Sequence, residues 1–290
     1  MSSKCNLRIT VVVMACVVTA STLQAVTGKE KAWAMFEAAG SKSTSEHAIG
    51  IRALGLIRGN AHARELAEAG LEDSKPEVRI AAATALGQMR ATQSIPKLQK
   101  LLSDDKLAVV MAAAHALREL KDNSSAYAVY YDVLTGGRKA DGMVAQQLLT
   151  LHDPKEMTRI GAEVGMGYVP FVGIGWDAWR YTHKKDPNPV RAVAARLLAQ
   201  DPDPATGLAL VEATRDRDWI VRAAAIEAIA ERGDPSLGAK IELSFFDSNP
   251  HVRYVTAAAV IRLSTIAEEQ SREKKNSQAK KAGNGPAGRE

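Results

Sequence analysis

Six histidines, at positions 47, 62, 115, 152, 183 and 251, are the side chains best suited to hold a metal or move a proton near neutral pH. No two stand four residues apart, the spacing that sets two imidazoles on one helical face. His115 lies on an Ala-rich helix and reads as a structural histidine. Asp201 with Asp203, and Asp216 with Asp218, could bind a cation or share acid–base work, but each pair falls in a turn between helices, where Asp caps the next helix. The chain has no glycine-rich phosphate loop, no GxSxG elbow and no EF-hand pattern. Both cysteines, Cys5 and Cys16, lie near the N-terminus, so the rest of the chain can form neither disulfides nor thiolate sites. These residues predict no catalytic set, no metal centre and no cofactor.

Binding chemistry is concentrated instead in GMGYVPFVGIGWDAWRYTHKK, Gly165 to Lys185, which carries two of the four tryptophans. Glycines at 165, 167, 173 and 175 oppose a continuous helix. Tyr168, Phe171, Trp176, Trp179 and Arg180 are the candidate partner-binding residues, because exposed aromatics and Arg anchor interfaces. Three roles are open to this stretch: an ordered loop that packs its aromatics on neighbouring helices, a loop that binds a partner or ligand, and a weak contact with a membrane surface.

The elements that would position this stretch come from a repeat. Val78-Arg79 recurs as Val109-Val110, and a second series runs Val190-Arg191, Val221-Arg222, Val252-Arg253 with the same constant step. An Ala-rich run with Leu or Ile at helical spacing comes after each anchor, as in IAAATALGQM, Ile80 to Met89. A second apolar period comes next, as in Ile95, Leu98, Leu101 and Leu102, so each unit predicts a helical hairpin. Fainter copies around Ile49 to Ile57 and Met143 to Leu151 bring the count to seven, the last without a clear second helix. Lys29 to Ala39 predicts an amphipathic helix that caps the first unit. The fourth anchor, Asp141, and the fifth, Val190, stand farther apart than this step, which places an insertion over Gly165 to Lys185.

The Val-Arg-x-x-Ala-Ala signature resembles HEAT repeats, in the short form found in phycobilisome-lyase-type HEAT proteins, over Ser45 to Leu263. The resemblance implies an all-α, right-handed α-solenoid of about seven hairpins. It also implies a structural ladder of hydrogen bonds between neighbouring units, carried by Asp73 with Arg79, Asp216 with Arg222 and Asp247 with Arg253, joined by Arg191. Asp104 keeps its place while Val110 replaces the Arg, so the ladder should be interrupted there. Deoxyhypusine hydroxylase, a HEAT-like iron enzyme, is built around His-Glu pairs, and this sequence contains no His-Glu dipeptide.

The ends frame the array. Lys4 and Arg8 precede the apolar run Ile9 to Ala20, the layout of a signal peptide over residues 1–25, with cleavage near Ala20 or Ala25. A degenerate lipobox at Val13 to Cys16 offers a lipoprotein alternative. Residues 29–263 form the array, and 264–290, poor in apolar residues, predict a disordered tail. Of the formal net charge of +5, part lies in the leader and tail, leaving the array near neutral and without the coherent basic face that nucleic acid needs. The expected function is therefore a non-catalytic, exported scaffold, periplasmic or secreted, that binds a protein partner. A lyase or chaperone resembling the phycobilin lyases and a membrane-surface adaptor are the alternatives.

Overall fold

A computed structural model describes residues 27–135 and 188–283, and every regular element among them is helical. Local chemistry fixes the helix starts. Thr27 and Glu30 make a reciprocal capping box at α1 (Gly28–Ala38), and Ser43 and Asn60 cap α2 (Thr44–Ala53) and α3 (Ala61–Gly70). Pro76 occupies the first turn of α4 (Pro76–Gln88), where a missing N–H is harmless. After α5 (Ile95–Leu101) and α6 (Leu107–Glu119), Asp122 caps α7 (Asn123–Leu134). Beyond α8 (Asn188–Leu197), Asp203 caps α9 (Pro204–Ala213) and Asp218 caps α10 (Trp219–Arg232). Pro235–Phe246 winds as a 3-10 segment, and α11 runs from Pro250 to Gly283.

Two layers result. The Ala-rich helices α4, α6, α10 and the first half of α11 bury Ala on several sides, which lets helices approach closely. Leu86, Leu117, Ile226, Ile229 and Ile261 fill the space between layers, each burial contributing about 1.5–3 kcal/mol. In space the first-helix layer reads α8, α10, α11, α2, α4, α6, which is not chain order: the last unit stacks on the first. The two halves of the chain thus share one continuous core.

This ordering corrects the role expected of α1. It does not merely cap the unit formed by α2 and α3. It lies in the second-helix layer between the 3-10 segment and α3, packed on α11, and supplies the second helix that the last unit lacks. Phe36 meets Tyr254 with ring centroids 5.8 Å apart, Trp33 meets His62 at 4.7 Å, and Lys31 lies over Phe246 at 3.7 Å. Gly50 lets the helices close in at this contact, since a Cβ there would stand a tight 3.1 Å from both Tyr254 and Ala39.

A second difference concerns the C-terminus. Where a disordered tail is expected from residue 264, α11 continues to Gly283. The run from 264 to 282 contains neither Gly nor Pro and is rich in Glu, Gln, Lys and Ala, all good helix formers. Its first turns are anchored, because Glu268 accepts a 2.7 Å hydrogen bond from Lys29 of α1. The leader, residues 1–25, lies outside the described residues, as do the fourth unit around Met143 to Leu151 and the insertion Gly165 to Lys185 with Tyr168, Phe171, Trp176, Trp179 and Arg180.

Candidate interaction surface

The recurring Asp and Arg do their work one unit apart. Arg79 donates to both carboxylate oxygens of Asp104, at 2.8 and 2.9 Å, and Arg222 does the same to Asp247, at 2.6 and 2.8 Å. Arg191 also reaches Asp216 of the next unit. The Asp six residues before each Arg serves through its carbonyl instead: Arg79, Arg222 and Arg253 donate to the backbone oxygens of Asp73, Asp216 and Asp247. Each Asp also closes its own turn by accepting the N–H two residues on, as Asp104 does from Lys106 and Asp247 from Asn249. A short carboxylate performs both tasks, and the planar guanidinium fork fits it bidentately.

The ladder continues where the chain does not. Arg253 of the last unit donates to Glu46 of the first at 3.0 Å, and His47 faces Asp73 of the next unit at 3.5 Å. Neither Glu46 nor His47 carries the residue type of the motif, so nothing in the repeat pattern marks them. At the opposite edge Arg58 pairs with Glu231 at 2.9 Å and Arg262 donates to the carbonyl of Leu56. The rungs stop at Val110, which is buried with Leu107, Ala114 and Val129.

Electrostatics follow from these contacts. Burial disfavours ionised Asp247, but hydrogen bonds from Arg222 and the Asn249 N–H outweigh it and hold the carboxyl below its usual range. Asp216 behaves alike, with burial opposed by the Asp218 N–H and Arg191. The hydrogen bond to Asp247, working against burial, raises Arg222 further. Bonds from Ser125 and Gln99 bring the capping carboxyl of Asp122 down to about 2.

The other polar side chains singled out from the sequence are engaged locally. Asp203 and Asp218 accept first-turn N–H groups, Asp201 accepts from Thr206 and the Asp203 N–H, and His115 sits 3.5 Å from Glu119 one helical turn on. No cluster of three or more His, Cys, Asp or Glu suited to a metal occurs among the described residues. A cavity of about 920 Å³ beside α9 is lined by Arg191, Arg215, Arg217, Glu212, Asp216 and Asp218, with Arg215 paired to Glu212. Its opposed charges offer no net attraction to an ion.

Exposed apolar surface is distributed unevenly. Of the large hydrophobic side chains that face solvent among the described residues, Leu208, Leu243, Phe246, Tyr127 and Tyr131 belong to the second-helix layer, while Leu197 and Leu198 end α8. Leu243 is 77% exposed and Phe246 75%, in mid-stack beside Lys31. Periodicity hides them, because a second helix shows one buried stripe and its outer residues obey no rule. No described helix is long and apolar enough to cross a membrane.

Stacked helical hairpins with interunit Arg–carboxylate rungs define an α-solenoid. The family model for HEAT repeats matches residues 35–118, 63–135 and 180–264, well over half of the chain, and the protein belongs to that family. No curated protein matches the chain. Among solved structures the chain is similar to human deoxyhypusine hydroxylase in complex with glycerol, at 18% identity over 80% of this chain and 83% of that one, with a TM-score of 0.28. Nothing about activity follows from so low a score.

Proposed function

We propose that this protein is a non-catalytic scaffold, exported to the periplasm or beyond, that holds a protein partner on its second-helix layer. The observation that carries the reading is the gathering of exposed apolar side chains on that layer, with Leu243 and Phe246 at mid-stack. Apolar and aromatic groups left in water in this way are the usual anchors of an interface. The aromatic insertion, with Tyr168, Phe171, Trp176, Trp179 and Arg180, is part of the same proposal as a second partner-binding element, on the strength of its residue types alone. The leader-like residues 1–25 support export, and the short repeat step from Val221 to Val252 supports placement with the phycobilisome-lyase-type HEAT repeats.

A photo-crosslinking residue placed at Leu243 in the native cell tests the reading, with Lys274 on the exposed end of α11 as control. A discrete adduct from 243 and none from 274, abolished by Phe246→Glu in a chain of unchanged helicity, is expected. Equal adducts from both positions, or turnover of a metabolite by the purified chain, would overturn it. Export is checked separately by the mature N-terminus, which mass spectrometry should place after Ala20 or Ala25.

A further inference from the structure

Four first-layer hairpin turns have a residue with positive φ just past the helix, the left-handed position that favours glycine. Two use it: Gly59 at φ 72° and Gly233 at φ 69°. The other two place long cations there, Arg90 at φ 58° and Lys121 at φ 70°, the only non-glycine residues with positive φ among the described residues. Gly59, Arg90 and Lys121 are spaced by the repeat step, so they occupy one place in three successive units, on one edge of the stack. Both turns close alike, Ala91 N–H reaching Leu86 O and Asp122 N–H reaching Leu117 O.

A cation near a helix C-terminus eases the dipole, but one in the last turn, as Arg118 is in α6, does so without a strained backbone. The strain therefore needs another reason. Both side chains are exposed, and neither makes a hydrogen bond or ion pair within the described structure; Arg90 acts on Glu119 only across space. The acids on this edge are already engaged: Glu119 by His115, Asp122 by Ser125 and Gln99, and Glu231 by Arg58. Arg90 and Lys121 remain as two cations bonded to no carboxylate, one helix–helix spacing of about 8–10 Å apart.

We infer that this edge binds an acidic peptide in extended form, with carboxylates three residues apart. In polyproline II form a chain repeats every three residues at about 3.1 Å each, so every third side chain faces the same way and matches the step between Arg90 and Lys121. Arg58, exposed in the preceding turn and held by Glu231, offers a third contact on the same line. The surface is distinct from the apolar second-helix layer, and the two can be tested apart.

The test is fluorescence anisotropy at low salt with the purified chain and three labelled peptides of equal length: Glu at every third position, the same residues with Glu in one block, and Lys in place of Glu. The periodic acidic peptide is expected to bind, the block peptide more weakly and the Lys peptide not at all. The decisive variant is Arg90→Gly with Lys121→Gly, which gives both turns the residue their backbone favours and should keep or raise the melting temperature while weakening the periodic peptide about tenfold or more. Lys100→Gln, a cation on α5, should leave binding unchanged. Equal affinity for the block and periodic peptides, or undiminished binding by the double glycine variant, overturns the inference. Tighter, equally Arg90-dependent binding of single-stranded DNA of the same charge would overturn it in favour of a nucleic-acid site.

Discussion

Two helix–helix steps in this molecule do the same job by different routes. From α10 to α11 the stack keeps to chain order; from α11 to α2 it joins residues some two hundred positions apart. Both place one first-layer helix on another, and both carry a guanidinium–carboxylate rung, Arg222 to Asp247 in the first and Arg253 to Glu46 in the second. They differ in the surroundings of the rung. The contiguous rung is the more buried and is made with an Asp fixed in its turn, whereas Glu46 extends from inside α2. The junction adds Lys29 to Glu268, Arg58 to Glu231, and the borrowed helix α1. Solenoid packing is thus a rule about neighbours in space, which any pair of chain segments with the right faces can satisfy.

The largest effect should come from α1, because it completes a unit that belongs to the other half. Phe36→Ala removes a ring that is 5% exposed against Tyr254, and a loss of about 3–4 kcal/mol is expected from urea unfolding. The revealing readout is amide exchange, which should rise over 250–263 as strongly as over 28–38. Faster exchange confined to 28–57 would restore α1 to a simple cap. Next in size, Arg222→Ala should cost about 2–3 kcal/mol and Arg253→Ala about 1–2 kcal/mol, the difference reflecting the burial of the two rungs. Equal losses would mean that the junction is no looser than a contiguous step.

Much of this was legible in the sequence, and the part that was not has a definite cause. The constant step between Val-Arg anchors reveals the hairpins, the Ala-rich runs reveal the first-helix layer, and Asp with Arg reveals the ladder. A repeat pattern assumes that neighbours in space are neighbours in sequence, so it could show that the last unit lacked a second helix but not that residues 28–38 supply it. An amphipathic helix shows that it has an apolar face, not which surface covers that face. Glu46 and His47 were invisible for a related reason: they hold ladder places with residues the motif does not contain. The exposed Leu243 and Phe246 lie outside every periodic position, and only the packing of α1 beside them shows what stays uncovered.

A smaller effect separates the ladder from a cap when pH is lowered. Asp216, Asp247 and Asp122 titrate lower in the folded chain than a free Asp, so each adds stability that is complete above about pH 4. Each contribution is lost as pH falls through the native value, for Asp122 near 2. Asp247→Asn should remove part of this acid sensitivity, at a cost in neutral stability, because the amide still accepts from Asn249 but cannot offer Arg222 a charge. Asp122→Asn should retain the cap of α7 and flatten only the lowest part of the profile. Stability against pH by circular dichroism measures both, and an unchanged slope in Asp247→Asn would mean that the rung stays neutral in effect.

The smallest expected change is also the one that improves the molecule. His47 takes the ladder role that its sister units give to Arg, facing Asp73 across a unit boundary at 3.5 Å, with both side chains about one-fifth exposed. One imidazole nitrogen meets one carboxylate oxygen there, whereas an arginine fork would engage both oxygens, as Arg79 does one step along the stack. His47→Arg should therefore stabilise the chain by about 0.5 kcal/mol, an amount limited by solvent at this site. The gain should disappear in Asp73→Asn, since a double-mutant cycle isolates the rung from any general benefit of added charge. If His47→Arg destabilises instead, the longer side chain does not fit between the two units, and the ladder here is set by room rather than by charge.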